Sequence, residues 1–235
     1  VQSKIFTVTI QALAGITRNY PEFGRHRVQR GRMTLKLYHC KRARSMRPLW
    51  TLEEMGLDYE LITMPFPPRY LAKEFKQINP LGTVPALVNG NLVMTESAGI
   101  CQYLVDKYGP TDLAVGKDEA DYGNYLNWLH RSDATLTFPQ TLVLRYTRLE
   151  PEAQRNPQVA NDYRKWFLQR VKSVERAMAD REYLCSGRFT IADICIVYCL
   201  FLAKNLDIDE AFTPNIQAYW DHVTQREAFQ RASTM

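Results

Sequence analysis

The feature that most constrains this chain is the point at which its strand signals stop. From Met33 to Gly109-Pro110 short strand-like runs alternate with helical ones, and beyond Pro110 no strand pattern recurs. Leu35 to Tyr38 reads as a strand. Ser45 to Met55 reads as a helix, with Ser45 as N-cap, Pro48 in its first turn and Gly56 closing it. Leu57 to Met64 reads as a second strand, which Phe66-Pro67-Pro68 breaks, and Tyr70 to Ile78 as a weak helix. Val84 to Val88 and Leu92 to Met94 form a hairpin around Asn89-Gly90, a strong turn dipeptide, and Ser97 to Lys107 is helical. The order is β-α-β-α-β-β-α. After it come four helical patterns: Asp118 to Arg148, kinked or split by Pro139, then Glu152 to Asp180, Thr190 to Lys204 and Pro214 to Arg226. The expected fold is an α/β domain over residues 33–109 followed by an all-helical domain over 117–235, with a linker between them.

Charge narrows the function. The net charge is +5. Residues 1–32 hold Lys4 and five arginines against Glu22 alone, so the chain from Met33 onward is formally neutral. That body has no excess charge to attract nucleic acid or an anionic membrane. Residues 1–32 read as a basic extension, non-native or disordered, with Met33 as the natural start; a targeting peptide and a functional basic arm are the other readings. The longest apolar run, Ile194 to Ala203, has ten residues, whereas a membrane-spanning helix needs about 20. It reads as a buried core helix. Five cysteines without a Cys-x-x-Cys pair read as reduced thiols of a cytoplasmic protein. The four histidines are scattered without metal-ligand spacing, so no metal is expected.

Two motifs carry chemistry. In Asn79-Pro80-Leu81-Gly82-Thr83-Val84-Pro85, a proline opens a strand. A proline there donates no ladder bond, and a cis bond would leave the Val84 backbone at the sheet edge for an extended peptide to pair with. Further on, Glu96-Ser97 opens a helix whose free N–H groups and dipole favour a carboxylate, with Glu96 beside them for an ammonium. Together they form a receptor for an amino-acid end next to a peptide-pairing edge. Thr190-Ile191-Ala192-Asp193 is a capping box for an apolar helix, and so folding machinery.

At this point the chain resembles the cytosolic glutathione transferases. Val84-Pro85 and Glu96-Ser97 match that family's glutathione site. Leu52-Glu53-Glu54-Met55-Gly56-Leu57 resembles the end of its first helix, Gly187 to Ile194 its capping box, and Pro214 to Trp220 with Ala228 to Ala232 its C-terminal helix and tail. The resemblance covers nearly all of residues 33–235. It implies a thioredoxin-like domain followed by a helical domain, a homodimer of the family's kind, and conjugation of glutathione to a small electrophile. Disulfide reduction or isomerisation at the same site, and a non-catalytic binding module, are the alternatives.

The family's thiol-activating residue, a Tyr, Ser or Cys, lies between the first strand and the first helix. Here that stretch is Tyr38-His39-Cys40-Lys41-Arg42-Ala43-Arg44-Ser45, and the usual serine and cysteine positions fall on Arg42 to Arg44. The first choice is a hydroxyl from Ser45 assisted by Arg44. Tyr38, Arg42 and Cys40 are the other candidates. Glutathione is expected to meet Val84, Pro85, Glu96 and Ser97, with Arg69 or Tyr70 at its glycine carboxylate. The second-substrate pocket is expected at Tyr122, Tyr125 and Trp128, with Phe138 nearby and His130 facing a partner subunit.

Overall fold

A computed structural model describes residues 35–235. The basic extension 1–32 lies outside the described residues. Four strands, β1 (Leu35–His39), β2 (Tyr59–Thr63), β3 (Ala86–Asn89) and β4 (Leu92–Met94), form one sheet in the order β2-β1-β3-β4. β2 runs parallel to β1, whereas β3 and β4 are antiparallel to their neighbours. The β1 register pairs Leu37 with Leu61 and with Leu87, so alternate side chains of the central strands face one core.

Around this sheet lie α1 (Met46–Met55), α2 (Pro68–Leu71) and α3 (Ser97–Tyr108). α1 buries Met46, Leu49, Trp50 and Leu52 and ends at Gly56, whose φ of 59° is the left-handed conformation a C-cap requires. The weak helix expected over Tyr70 to Ile78 is instead α2 followed by a 3₁₀ turn, Lys73–Gln77. The Val84–Pro85 peptide is cis.

The rest is helical: α4 (Tyr122–Arg131), α5 (Phe138–Leu144), α6 (Pro157–Ala177), α7 (Ile191–Asn205), α8 (Pro214–Val223) and α9 (Glu227–Thr234). The single pattern read over Asp118 to Arg148 is divided by two stretches of wider π-helical turns, Ser132–Thr137 and Arg145–Leu149. A wide turn releases backbone groups from the regular ladder. Pro139 falls just after the first stretch, in the opening turn of α5, where a missing N–H costs least.

α7 is the axis of the helical half, with nearly every side chain from Ile191 to Ala203 buried. Its capping box forms. The Thr190 hydroxyl accepts from the Ala192 N–H at 3.2 Å and Asp193 accepts from the Thr190 N–H at 2.8 Å. The other Asp193 oxygen accepts from the Leu184 N–H and the Tyr219 hydroxyl, so the cap also anchors a loop and α8. Arg188 pins residues 112–119 by donating to the carbonyls of Asp112 and Ala114 and to Glu119.

The α/β and helical parts share one core. Trp50 of α1 meets Phe189 and Phe229 at ring-centroid distances of 5.6 and 4.9 Å. Glu54 takes a two-pronged bond from Arg226 at 2.7 and 2.8 Å. No helix among the described residues is long and apolar enough to cross a membrane.

Candidate active site

The loop from β1 to α1 departs from expectation at Ser45. Its side chain is fully buried. The hydroxyl lies 2.9 Å from Nδ1 of His39 and accepts from the Cys40 N–H at 3.2 Å, so it closes the loop from inside. It neither caps α1 with its side chain, as the sequence led one to expect, nor lines the neighbouring cleft. The physical reason is local: a short loop returning into α1 leaves a buried amide and imidazole that need a partner, and Ser45 is the polar group within reach. Burial, and then the nearby Lys41 charge, push the His39 imidazole down to about 4.

Tyr38 also stands away from the cleft. It packs its ring on Phe75 at 5.2 Å and does not line the cleft. Cys40 is buried, and that burial pushes its thiol up to about 11, which removes it as a nucleophile near neutral pH. Lys41, Arg42, Ala43 and Arg44 do line the cleft. Arg42 adopts φ 62°, a left-handed conformation uncommon for a residue with a β-carbon.

The cleft measures about 610 Å³. Its α/β side consists of the Lys41–Arg44 loop, Phe66, Arg69, Tyr70 and the Gly82–Val84 segment. Neither the N–H nor the C=O of Val84 has a hydrogen-bond partner among the described residues, so both are open to an extended ligand. Gly82 is required where it stands. Its φ is 60°, and a β-carbon there would come within 2.7 Å of the Arg69 Cβ.

Of the other expected ligands of the amino-acid end, Glu96 is the exposed N-cap residue of α3 and does not use its side chain to cap. Ser97 is buried, and its hydroxyl accepts from Arg47 at 2.9 Å. Neither residue lines the cleft, nor does Pro85. Arg47 connects Ser97 to it. The fully buried guanidinium donates to Thr137 Oγ1, which does line the cleft, at 2.9 Å, and to the Ser132 carbonyl at 3.2 Å. It also pairs with Asp133 and lies 4.8 Å from the Tyr198 ring centroid. The same Ser132 carbonyl also accepts from the Thr137 hydroxyl at 2.7 Å. Arg47 was passed over in the sequence. Its signal was a lone charge in the mainly apolar run Met46–Leu52.

The second wall is not where the sequence placed it. Tyr125 and Trp128 are buried in the packing of α4, and Tyr122 sits against Tyr125 with ring centroids 6.4 Å apart. None of the three lines the cleft. Phe138 is exposed and packs against Tyr163, and His130 is exposed. The helical side of the cleft comes later in the chain, from Thr137, Thr141, Leu144, Arg145 and Arg148, with Tyr198, Leu202 and Leu206 from α7 and its end.

Residues 33–106 match the model described as glutathione S-transferase, N-terminal domain, and residues 140–227 match the C-terminal domain of the same family. Glutathione S-transferase Z2 of Arabidopsis thaliana is 30% identical over 216 residues, covering 84% of this chain and 90% of the relative. Glutathione S-transferase 3 of Schizosaccharomyces pombe is 26% identical over 205 residues, covering 82% and 84%. A solved glutathione transferase from Methylococcus capsulatus superposes with a TM-score of 0.74 at 28% identity, covering 86% of this chain and 98% of the other. The chain belongs to the glutathione S-transferase family, and it is a transferase enzyme that uses glutathione.

Proposed function

We propose that this chain conjugates the thiolate of glutathione to a small electrophilic carbon in the cleft beside Val84. The observation that carries this reading is the unpaired Val84 backbone on the wall of a cleft whose neighbouring loop is Lys41-Arg42-Ala43-Arg44. In it the glutathione cysteinyl unit pairs with Val84 as an added strand. The α3 N-terminus with Ser97 takes the γ-glutamyl carboxylate, and Glu96 takes the ammonium. Arg69 takes the glycine carboxylate.

With Ser45 turned inward, Arg42 and Arg44 replace the hydroxyl as the activating charge. A neighbouring cation favours thiolate over thiol, and one pKa unit corresponds to about 1.4 kcal/mol. The thiol proton passes to water. The sulfur then attacks the electrophilic carbon, a C–S bond forms, and the leaving group departs with its bonding pair. Disulfide exchange through a protein thiol finds no support, because all five cysteines are buried.

The test is conjugation of an activated aryl chloride by purified protein, with bound-thiolate absorbance followed against pH. Turnover is expected, and Arg44→Gln should move the absorbance titration alkaline by about one unit. Glutathione binding without turnover would indicate a non-catalytic binding module instead.

We further propose a cytoplasmic homodimer. The support for dimerisation is β4, a three-residue edge strand that exposes Leu92 and Val93. The five free cysteines suit a reducing compartment. Light scattering that returned a monomer mass at micromolar concentration would remove the dimer.

A further inference from the structure

The cleft holds more positive charge than glutathione needs. Lys41, Arg42, Arg44, Arg69, Arg145 and Arg148 line it, against Glu150 as the single acid on its walls. Glutathione thiolate brings two negative groups into this space, its glycine carboxylate and its sulfur. The γ-glutamyl end, being zwitterionic, matches the α3 start.

The excess is partly tied on the helical wall. Arg145 pairs with Glu150 at 2.6 Å. Arg148 donates to the Asn205 carbonyl at 2.6 Å and pairs with Asp207 at 2.8 Å. The Asp207 side chain is 84% exposed, so its hold on Arg148 is that of a surface pair, which water and salt weaken. Arg42 and Arg44 have no carboxylate partner among the described residues. The same cleft is also lined by an apolar set, Leu144, Tyr198, Leu202 and Leu206.

An apolar floor takes a flat carbon skeleton, and converging guanidinium groups take a carboxylate or another oxyanion. We propose that the electrophile of this transferase is an organic anion, an aromatic or unsaturated carboxylate whose body rests on Leu144, Tyr198 and Leu202 and whose anionic group is held by Arg148 with Arg42 from the α/β side. The proposal rests on the conjugation reading given above and names its substrate class. The reaction balances as an aromatic substitution. The glutathione sulfur forms a bond to the ring carbon, the carbon–chlorine bond of the probe breaks, chloride leaves with the bonding pair, and the thiol proton goes to water.

The test compares the carboxylate and the carboxamide of one activated aryl chloride, chlorodinitrobenzoate and chlorodinitrobenzamide, with the full chain. Each enzymatic kcat/KM is divided by the rate constant of the uncatalysed reaction with glutathione. After that correction the carboxylate should exceed the amide by about tenfold or more, as expected of a charge-assisted bond that the amide cannot make. The preference should shrink as salt rises from about 0.05 to about 0.5 M, because these guanidinium groups are solvent-accessible. Arg148→Gln should reduce the ratio several-fold. If that variant unfolds, Arg42→Gln and the salt titration of the unaltered protein carry the same test, since any loss of thiol activation falls equally on both probes and leaves their ratio readable. Calorimetry with S-(carboxybenzyl)glutathione and S-(carbamoylbenzyl)glutathione gives a readout independent of turnover, and the carboxylate adduct should bind about tenfold more tightly. Equal corrected efficiencies and equal adduct affinities overturn the anionic substrate class while leaving conjugation standing. Failure to conjugate either aryl chloride overturns the conjugation reading and this proposal with it.

Discussion

Replacing Arg47 with leucine removes the side chain on which the α/β part and the helical part both converge. Arg47 is fully buried, pairs with Asp133, and donates to Ser97, Thr137 and the Ser132 carbonyl. Breaking a buried ion pair by deleting one partner costs about 3–5 kcal/mol, because the other charge stays behind unpaired. Here the abandoned carboxylate is 31% exposed and can draw on water, which puts the cost near the lower end. At about 3 kcal/mol, and at 2–4 °C per kcal/mol for a body of this size, Tm should fall by roughly 6–12 °C. Arg47→Lys keeps the charge but loses the planar fork, so it should fall between the two. Ser97 loses its donor in the leucine variant, and glutathione affinity should weaken by about tenfold in calorimetry below the melting range. A Tm lowered by less than about 2 °C would refute the argument that this guanidinium ties the two parts together. A large Tm loss with unchanged glutathione affinity would refute its role in positioning Ser97.

Acid should unfold the protein through His39. The imidazole takes up a proton near 6.5 when unfolded but only at about 4 in the buried site, so the unfolded chain binds more protons between these values. Stability is therefore fully present above pH 6.5 and is lost by about 3 kcal/mol as pH falls to 4, a slope that denaturant melts should show and His39→Asn should flatten. Ser45→Ala should leave the bound thiolate titration where it is while costing about 1–2 kcal/mol, since the Cys40 amide loses its buried acceptor; an alkaline shift of that titration would restore Ser45 as activator. Asp193→Ala strands the Thr190 and Leu184 amides and the Tyr219 hydroxyl, and urea melts should record a loss of about 3 kcal/mol; a loss below 1 kcal/mol would mean that water replaces the carboxylate in this buried corner.

What the sequence disclosed, and what it hid, divides along the range of the interactions involved. The hairpin at Asn89-Gly90, the Val84–Pro85 edge and the Thr190-to-Asp193 cap are each decided within a few residues, and each forms. The order of strands and helices was legible for the same reason, because period and punctuation are local signals. Ser45 was misread because the direction of a hydroxyl depends on what else in a buried loop lacks a partner. His39 and the Cys40 amide settle that only once the chain has closed. Tyr122, Tyr125 and Trp128 lie away from the cleft because tertiary packing decides which part of a long helical stretch meets the α/β part, and no local signal reports it. Arg47 shows both limits at once. Its partners lie 50 to 152 residues away in the chain, so no window around α1 contains the carboxylate, hydroxyls and carbonyl that allow an arginine to be buried there. Yet a charged residue on the inward face of a helix always implies such partners, because without them the helix could not pack. An unexplained charge in an apolar run is thus a pointer to a distant polar cluster. In this chain that cluster joins the start of α3 to the wall of the substrate cleft.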